Sequence, residues 1–229
     1  MDQATFERWL LDPDGIAQAT AIGGPPPEGL AQIQEWIRTR PELIHQLFSR
    51  IYPDMCRMRV RDNCREFSAD YGVICFSRVR TSILMWAHYA AKHSGIAIGF
   101  DLPDALSEKL LDVLYSPERV PFDPTQPLGG EYTDVFSRQM ISTKHADWSY
   151  EEEARLIVKL SHLDPPTVGA DGKPLYLMQI RPELIKTISL GLRCSDKTEE
   201  GVRAAIQKNN LAAAVDRAVP HDHNFAVNF

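Results

Sequence analysis

The sequence of 229 residues lacks features that several classes of protein require. No apolar run approaches the roughly 20 residues of a bilayer-spanning helix. The first residues contain no basic segment followed by an apolar one, which predicts no secretory signal peptide. Only four cysteines are present, so a disulfide scaffold is excluded and reduced thiols in a cytoplasmic protein are expected. A net charge of −6 argues against general nucleic-acid binding.

Motifs for common cofactors and metals are also missing. The sequence contains no G-x-G-x-x-G, no P-loop and no C-x-x-C. His221 and His223 are separated by a single residue, which is weak support for a metal site. We therefore predict no metal site and leave the cofactor open.

Hydrophobic patterning changes near residue 70. Within residues 28–52, Leu43, Leu47 and Ile51 recur at helical spacing, which predicts a helical region. Further along the chain, apolar runs predict strands at residues 71–77, 96–100, 156–160, 175–180 and 185–190, and amphipathic segments predict helices at residues 82–92 and 197–208.

The order of these elements indicates the fold class. Strands separated by turns as often as by helices are typical of α+β proteins. We predict a single domain with a mixed, mostly antiparallel sheet and packed helices. Residues 1–70 are predicted to be a divergent helical N-terminal region and residues 71–229 an α+β domain, the two forming one structural unit.

The first candidate site is the segment MWAHYAAKHSG at residues 85–95. On a helix, Trp86, Tyr89 and His93 stand at i, i+3 and i+7 and share one face, whereas His88 points away from His93. Aromatic rings can stack on a base or a nicotinamide, and histidine transfers protons near neutral pH. The alternative is a core helix whose polar groups satisfy local hydrogen bonds.

The second candidate site is an acidic triplet at the start of an apolar strand. In a strand, Glu151, Glu153 and Arg155 alternate onto one side. Glu153 and Arg155 can pair, or they can converge on one ligand. Carboxylates this close are expected to raise the pKa of at least one of them. The alternative is a solvated charge run beside a structural ion pair.

These two segments, in this order, resemble the bacterial domain-of-unknown-function family 2971. The motifs are W-x-H-Y-A-x-x-H-x-G, starting at Trp86, and W-x-Y-E-x-E-x-R, starting at Trp148. The resemblance extends over residues 71–229, as a family-like α+β domain. Three further features contribute to it: a strand that ends in Phe-Ser, Lys144 ahead of the second motif, and a late strand of the type Ile-x-x-Ile-x-x-Gly. Family members usually begin with a Tyr-rich strand and an F-N-D-P-F-type segment. Residues 1–70 contain neither, so the resemblance implies that this leading segment is missing or replaced.

The family has no established reaction, so two functions stay open. One is an NAD-using or nucleotide-processing enzyme of ADP-ribosyltransferase type, either a transferase or an NAD glycohydrolase. There an aromatic ring would stack on nicotinamide and Glu153 would stabilise an oxocarbenium-like transition state. The other is a non-catalytic small-molecule-sensing or interaction module, in a phage-defence or stress operon.

The two hypotheses share one set of predicted site residues. Glu153, His93 and Tyr89 are the predicted catalytic residues. The predicted ligand-binding residues are Ser77, Trp86, His88, Lys144, Trp148, Tyr150, Glu151 and Arg155. The expected partner is a small-molecule or nucleotide ligand, with NAD as a hypothetical substrate, no membrane and no strong nucleic-acid signal. One open pocket lined by these side chains favours the enzyme, whereas burial and mutual pairing favour a structural role.

Overall fold

A computed structural model describes residues 2–21, 26–40, 42–50, 52–122 and 130–229. The helices are α1 (Gln3–Leu11), α2 (Pro13–Ala21), α3 (Pro27–Thr39), α4 (Glu42–Arg50), α5 (Tyr52–Asp70), α6 (Ile83–Tyr89), α7 (Asp104–Ser107), α8 (Gly130–Ser142) and α9 (Asp196–Lys208). The strands are β1 (Tyr71–Ser77), β2 (Ile96–Phe100), β3 (Leu111–Asp112), β4 (Leu114–Ser116), β5 (Thr143–His145), β6 (Glu153–Lys159), β7 (Thr167–Val168), β8 (Pro174–Leu175), β9 (Ile185–Leu190), β10 (Ala214–Arg217), β11 (Val219–Pro220) and β12 (Val227–Asn228). Short 3-10 helices lie at Ala146–Glu151, Leu160–His162 and Pro182–Leu184.

The chain divides into two compact units. The first consists of Met1–Asp70 and Glu118–Thr143, and the second of Tyr71–Pro117 and Lys144–Phe229. The division of the sequence into residues 1–70 and 71–229 stays a prediction, because grouping by compactness does not define a folding domain.

The first unit is helical and contains α1 to α5 and α8. Its core is formed by Phe6, Leu10, Ile37 and Ile44, which are buried together. The helix α1 begins at a side-chain cap, where the carboxylate of Asp2 accepts the Thr5 N–H at 2.8 Å. The predicted stripe of Leu43, Leu47 and Ile51 lies outside the described side chains.

The second unit contains the strands that carry the predicted site. The strand β6 pairs antiparallel with both β1 and β3, and β9 pairs antiparallel with β2 and parallel with β10. Two further short pairs, β7–β8 and β11–β12, are antiparallel. The predicted α+β class with mostly antiparallel pairing is confirmed. Its strands are distributed over several small sheets, of which β10–β9–β2 is mixed.

Two apolar clusters stabilise the second unit. Trp86 of α6 packs with Ala90, Ala218 and Val227, and all four are buried. The second cluster lies where α9 packs on β9. It consists of the buried residues Ile188, Leu190, Cys194 and Val202. The amphipathic helix predicted at residues 197–208 is observed as α9, and Ser195 caps it by accepting the Thr198 N–H at 3.2 Å.

Two predicted elements differ from the structure. The strand predicted at residues 175–180 is wrong, because the β7–β8 ladder ends at Leu175 and the following residues are exposed and irregular. The helix predicted at residues 82–92 is shorter, since α6 ends at Tyr89. Among the described helices, none is both long and apolar enough to cross a membrane.

Candidate functional site

The acidic triplet forms a kink between two elements, so Glu151 and Glu153 do not alternate along one strand as expected. Glu151 ends the 3-10 helix, and β6 begins only at Glu153. Between them Glu152 adopts a left-handed conformation with φ 41°. The Glu152 N–H donates to the Ser149 carbonyl at 3.2 Å, and its own carbonyl accepts the Arg78 N–H at 3.0 Å. These two bonds hold the kink in place.

The kink directs two buried carboxylates to one ammonium group. The side chains of Glu151 and Glu153 are only 4% and 5% exposed. Lys144 donates to both, to Glu153 at 3.1 Å and to Glu151 through a short hydrogen bond. Arg155 donates to Glu153 from Nε at 2.8 Å and from a terminal nitrogen at 3.1 Å. We call Lys144, Glu151, Glu153 and Arg155 the carboxylate network, and its two cations balance its two anions.

The network fixes the charge state of Glu153. Burial by itself raises the pKa of this carboxyl, but hydrogen bonds from Arg155, the Cys75 thiol and Lys144 outweigh burial and lower the pKa to about 2. The rise in pKa that was expected for at least one carboxylate of the triplet does not occur at Glu153. Burial disfavours the charged form of Lys144 and so lowers its pKa. Its hydrogen bonds to the two glutamates outweigh burial, and the pKa of Lys144 is raised overall.

Four rings form an exposed surface next to the network. His88 stacks on Tyr150 with centroids 6.3 Å apart, and it lies 6.2 Å from Trp148 and 6.4 Å from Tyr89. Trp148 and Tyr150 are 6.0 Å apart. We call His88, Tyr89, Trp148 and Tyr150 the ring cluster. The Lys144 ammonium lies 5.1 Å from the centroid of Trp148, within the range of a cation–π contact.

A hydrogen bond joins the ring cluster to the network. The hydroxyl of Tyr89 donates to Glu151 at 2.8 Å. This hydrogen bond, together with partial burial, raises the pKa of Tyr89. The helix α6 is thereby tied to the 3-10 helix that carries Glu151.

His93 does not share a helical face with Trp86 and Tyr89, so that prediction is wrong. After Tyr89 the chain leaves the helix, and Ala91, Lys92 and His93 take left-handed φ values of 47°, 55° and 70°. The His93 N–H donates to the Trp86 carbonyl at 3.1 Å. The buried Nδ1 of His93 has no hydrogen-bond partner in the described part of the chain.

Trp86 and Ser77 are engaged by the backbone. Trp86 is buried, and its Nε1–H donates to the carbonyl of Arg80 at 2.7 Å. The Ser77 hydroxyl lies 2.7 Å from the carbonyl of Glu151 and 2.9 Å from that of Val79. Both residues therefore hold local structure together at the edge of the site.

The members of the carboxylate network do not line a cavity that lies beside β1 in the second unit. Ser77 pairs with Glu153 and Cys75 with Arg155, so these four side chains project from one face of the pair. Phe76 pairs with Ala154 and projects from the other face, where both line a cavity of about 1080 Å³. Trp86 and Tyr89 also line this cavity, whereas Glu153 and Arg155 do not. The predicted residues are thus not brought together in one open pocket.

Two groups at the network were missed in the sequence. Cys75 is exposed, and its thiol donates to Glu153. Burial and this hydrogen bond raise the pKa of the thiol. Tyr115 accepts the Glu153 N–H through its hydroxyl at 2.8 Å. Cys75 lies beside Arg155 because of the register in which β1 pairs with β6, and this register cannot be deduced from the sequence.

Throughout the described ranges, no three histidine, cysteine or acidic side chains are placed to hold a metal ion. His221 accepts backbone N–H groups of His223 and Asn224 at its Nδ1, at 3.1 and 3.2 Å. These hydrogen bonds stabilise a local turn.

Comparison with protein families agrees with the motifs. Residues 85–156 match the family model described as "Protein of unknown function (DUF2971)". The predicted resemblance to this family is confirmed. The matched range contains every predicted site residue except Ser77. The wider resemblance over residues 71–229 stays a prediction. No curated protein and no solved structure matches the chain.

Proposed function

We propose that this chain is a non-catalytic small-molecule-sensing module, and that its ligand stacks a planar ring, such as a nucleobase or nicotinamide, on the ring cluster. The observation that carries the proposal is the arrangement of four neighbouring rings, of which Tyr89 is 62% and Trp148 is 39% exposed. Exposed aromatic faces bind bases without a specific hydrogen-bond pattern, at about 1–3 kcal/mol per stacked base.

The carboxylate network supports a binding role better than a catalytic one. A glutamate that assists cleavage at a ribose must offer an oxygen to the sugar hydroxyl. Both oxygens of Glu153 already accept hydrogen bonds, since Arg155 donates to each of them and Lys144 donates to one. Releasing either oxygen would break at least one of these charge-assisted hydrogen bonds, which costs about 1.5–3 kcal/mol. We therefore assign the network to holding the ring cluster in place.

Calorimetric titration with NAD, ADP-ribose and nicotinamide tests the binding proposal. The variant Trp148→Ala removes a ring from the cluster, and Trp36→Ala removes a tryptophan of the first unit that is 50% exposed. We expect saturable binding by the wild type, a loss of about tenfold in Trp148→Ala, and no change in Trp36→Ala. Equal affinities of the two variants, or no binding of any of the three compounds by the wild type, would contradict the proposal.

A second candidate is the NAD-using enzyme of ADP-ribosyltransferase type. It is favoured by the lowered pKa of Glu153, about 2, which keeps this carboxylate ionised at neutral pH next to the ring cluster. The test is incubation with NAD followed by measurement of released nicotinamide. Release by the wild type that is lost in Glu153→Gln would replace the sensing proposal with the enzymatic one. No release, or equal release by both proteins, would remove the enzymatic candidate.

A further inference from the structure

The cavity of about 1080 Å³ is lined by residues of β1 and by Ala154 of β6, but by no member of the carboxylate network. It reaches the upper end of the volumes that small-molecule sites usually have. Its lining is largely apolar, with contributions from β1, α6, β2 and the irregular segment after β8. The large apolar side chains in it are Ile74, Phe76, Met85, Trp86, Phe100 and Ile180.

The charged groups of the lining favour an anion. Arg78 and Arg80 belong to it, together with one acidic residue, Asp101. Arg78 is engaged by Asp112, to which it donates from two nitrogens at 2.9 and 2.6 Å. Among the described residues, Arg80 donates to Asp216 from one terminal nitrogen at 2.8 Å. Its side chain is still 50% exposed, so further donors of its guanidinium are accessible.

Arg80 is held in a fixed position at the cavity. Its guanidinium carbon lies 4.3 Å from the centroid of the Phe229 ring, and its carbonyl accepts the Nε1–H of Trp86 at 2.7 Å. The ion pair with Asp216 adds a third anchor. A cation fixed in this way binds an anion without losing much side-chain entropy.

We propose that this cavity binds a small amphiphilic anion, with an aliphatic or aromatic body and one carboxylate or sulfonate group. The body lies among the apolar side chains, and the anionic group accepts hydrogen bonds from Arg80. Methionines such as Met85 and Met178 adapt to bodies of different shape. The cavity adjoins the ring cluster, because Tyr89 belongs to the cluster and also lines the cavity.

Two fluorescent probes test the proposal on the full chain. Anilinonaphthalene sulfonate carries an aromatic body and a sulfonate, and phenylnaphthylamine has nearly the same body without the charge. We expect one saturable site for both probes, with the sulfonate bound about fivefold more tightly at low salt. We expect Arg80→Gln to remove this difference. Equal affinities in the wild type would overturn the anionic part, and a lack of saturable binding would overturn the whole proposal.

A pair of charge substitutions locates the probe. Ile180 lines the cavity and is 44% exposed, whereas the nearby Leu177 is 57% exposed and does not line it. Both side chains are exposed, so Ile180→Glu and Leu177→Glu are expected to fold. Ile180→Glu should weaken both probes at least about tenfold, because it places a charge against an apolar body. Leu177→Glu should leave binding unchanged. Equal effects of the two substitutions would overturn the assignment of the probe to this cavity.

Discussion

Tyr89 and Glu151 are joined by a hydrogen bond of 2.8 Å between an exposed ring and a buried carboxylate. Tyr89 is the last residue of α6, and Glu151 is the last residue of the 3-10 helix Ala146–Glu151. The bond therefore fixes the end of one helix to the end of another. It also determines where the ring of Tyr89 stands in the ring cluster.

Removing this hydroxyl should cost a measurable part of the stability. We expect Tyr89→Phe to lower the free energy of unfolding by about 1 kcal/mol, because Glu151 keeps its bond to Lys144 but loses a second donor. Urea denaturation followed by circular dichroism measures the change. Tyr150→Phe is the matched control, since the Tyr150 hydroxyl makes no hydrogen bond to another described residue. Equal losses in the two variants would contradict the role of the Tyr89 bond.

Lys144 should matter far more than a surface lysine. Its ammonium forms ion pairs with two buried carboxylates, so Lys144→Met leaves two anions with one remaining cation. We expect the free energy of unfolding to fall by about 3 kcal/mol. Lys173→Met is the control, because Lys173 is 80% exposed and pairs with the exposed Asp171 at 3.3 Å. That change should stay within about 0.5 kcal/mol, and a similar small effect for Lys144→Met would contradict the network.

The lowered pKa of Glu153 predicts a specific dependence of stability on pH. The folded pKa of about 2 lies below the ordinary value of 4.5, so the ionised carboxylate stabilises the fold above pH 4.5. This contribution, about 3 kcal/mol, is lost as the pH falls from 4.5 toward 2. Urea denaturation at pH 6, 4.5 and 3 should therefore show a steeper decline for the wild type than for Glu153→Gln.

A surface glutamate provides the comparison for this pH series. Glu200 is exposed on α9, and Glu200→Gln should reproduce the decline of the wild type. If Glu153→Gln declines as steeply as Glu200→Gln, the stabilisation attributed to ionised Glu153 is absent.

The strands were predicted correctly where an apolar run in the sequence also finds a partner strand in the structure. Three strands, Tyr71–Ser77, Ile96–Phe100 and Ile185–Leu190, lie where the apolar runs predicted them. Each finds a partner along most of its length. The run at residues 175–180 has a similar composition, but its ladder with β7 stops at Leu175. An apolar run indicates that a strand is possible, whereas the partner decides whether it forms.

The site was less predictable, because its geometry depends on residues with positive φ that are not glycine. Such residues cannot be recognised from the sequence. Helical spacing placed His93 with Trp86 and Tyr89, but the helix ends before Ala91, and three residues without glycine's freedom take positive φ. Strand alternation grouped Glu151 with Glu153 on one side. The two do converge on Lys144, but through the kink at Glu152 and not through a strand.

Glu152 is the residue at which this kink can be tested. Its φ of 41° places a side chain with a Cβ in the left-handed region, which costs about 1 kcal/mol. Glycine adopts this conformation without that cost, so Glu152→Gly should raise the free energy of unfolding by about 0.5–1 kcal/mol. Glu200→Gly makes the same replacement within α9, where it should lower stability by about 1 kcal/mol. Urea denaturation of both variants distinguishes the two signs. A loss of stability in Glu152→Gly would mean that the kink is not strained, and that the Glu152 side chain stabilises the turn that directs Glu151 and Glu153 to Lys144.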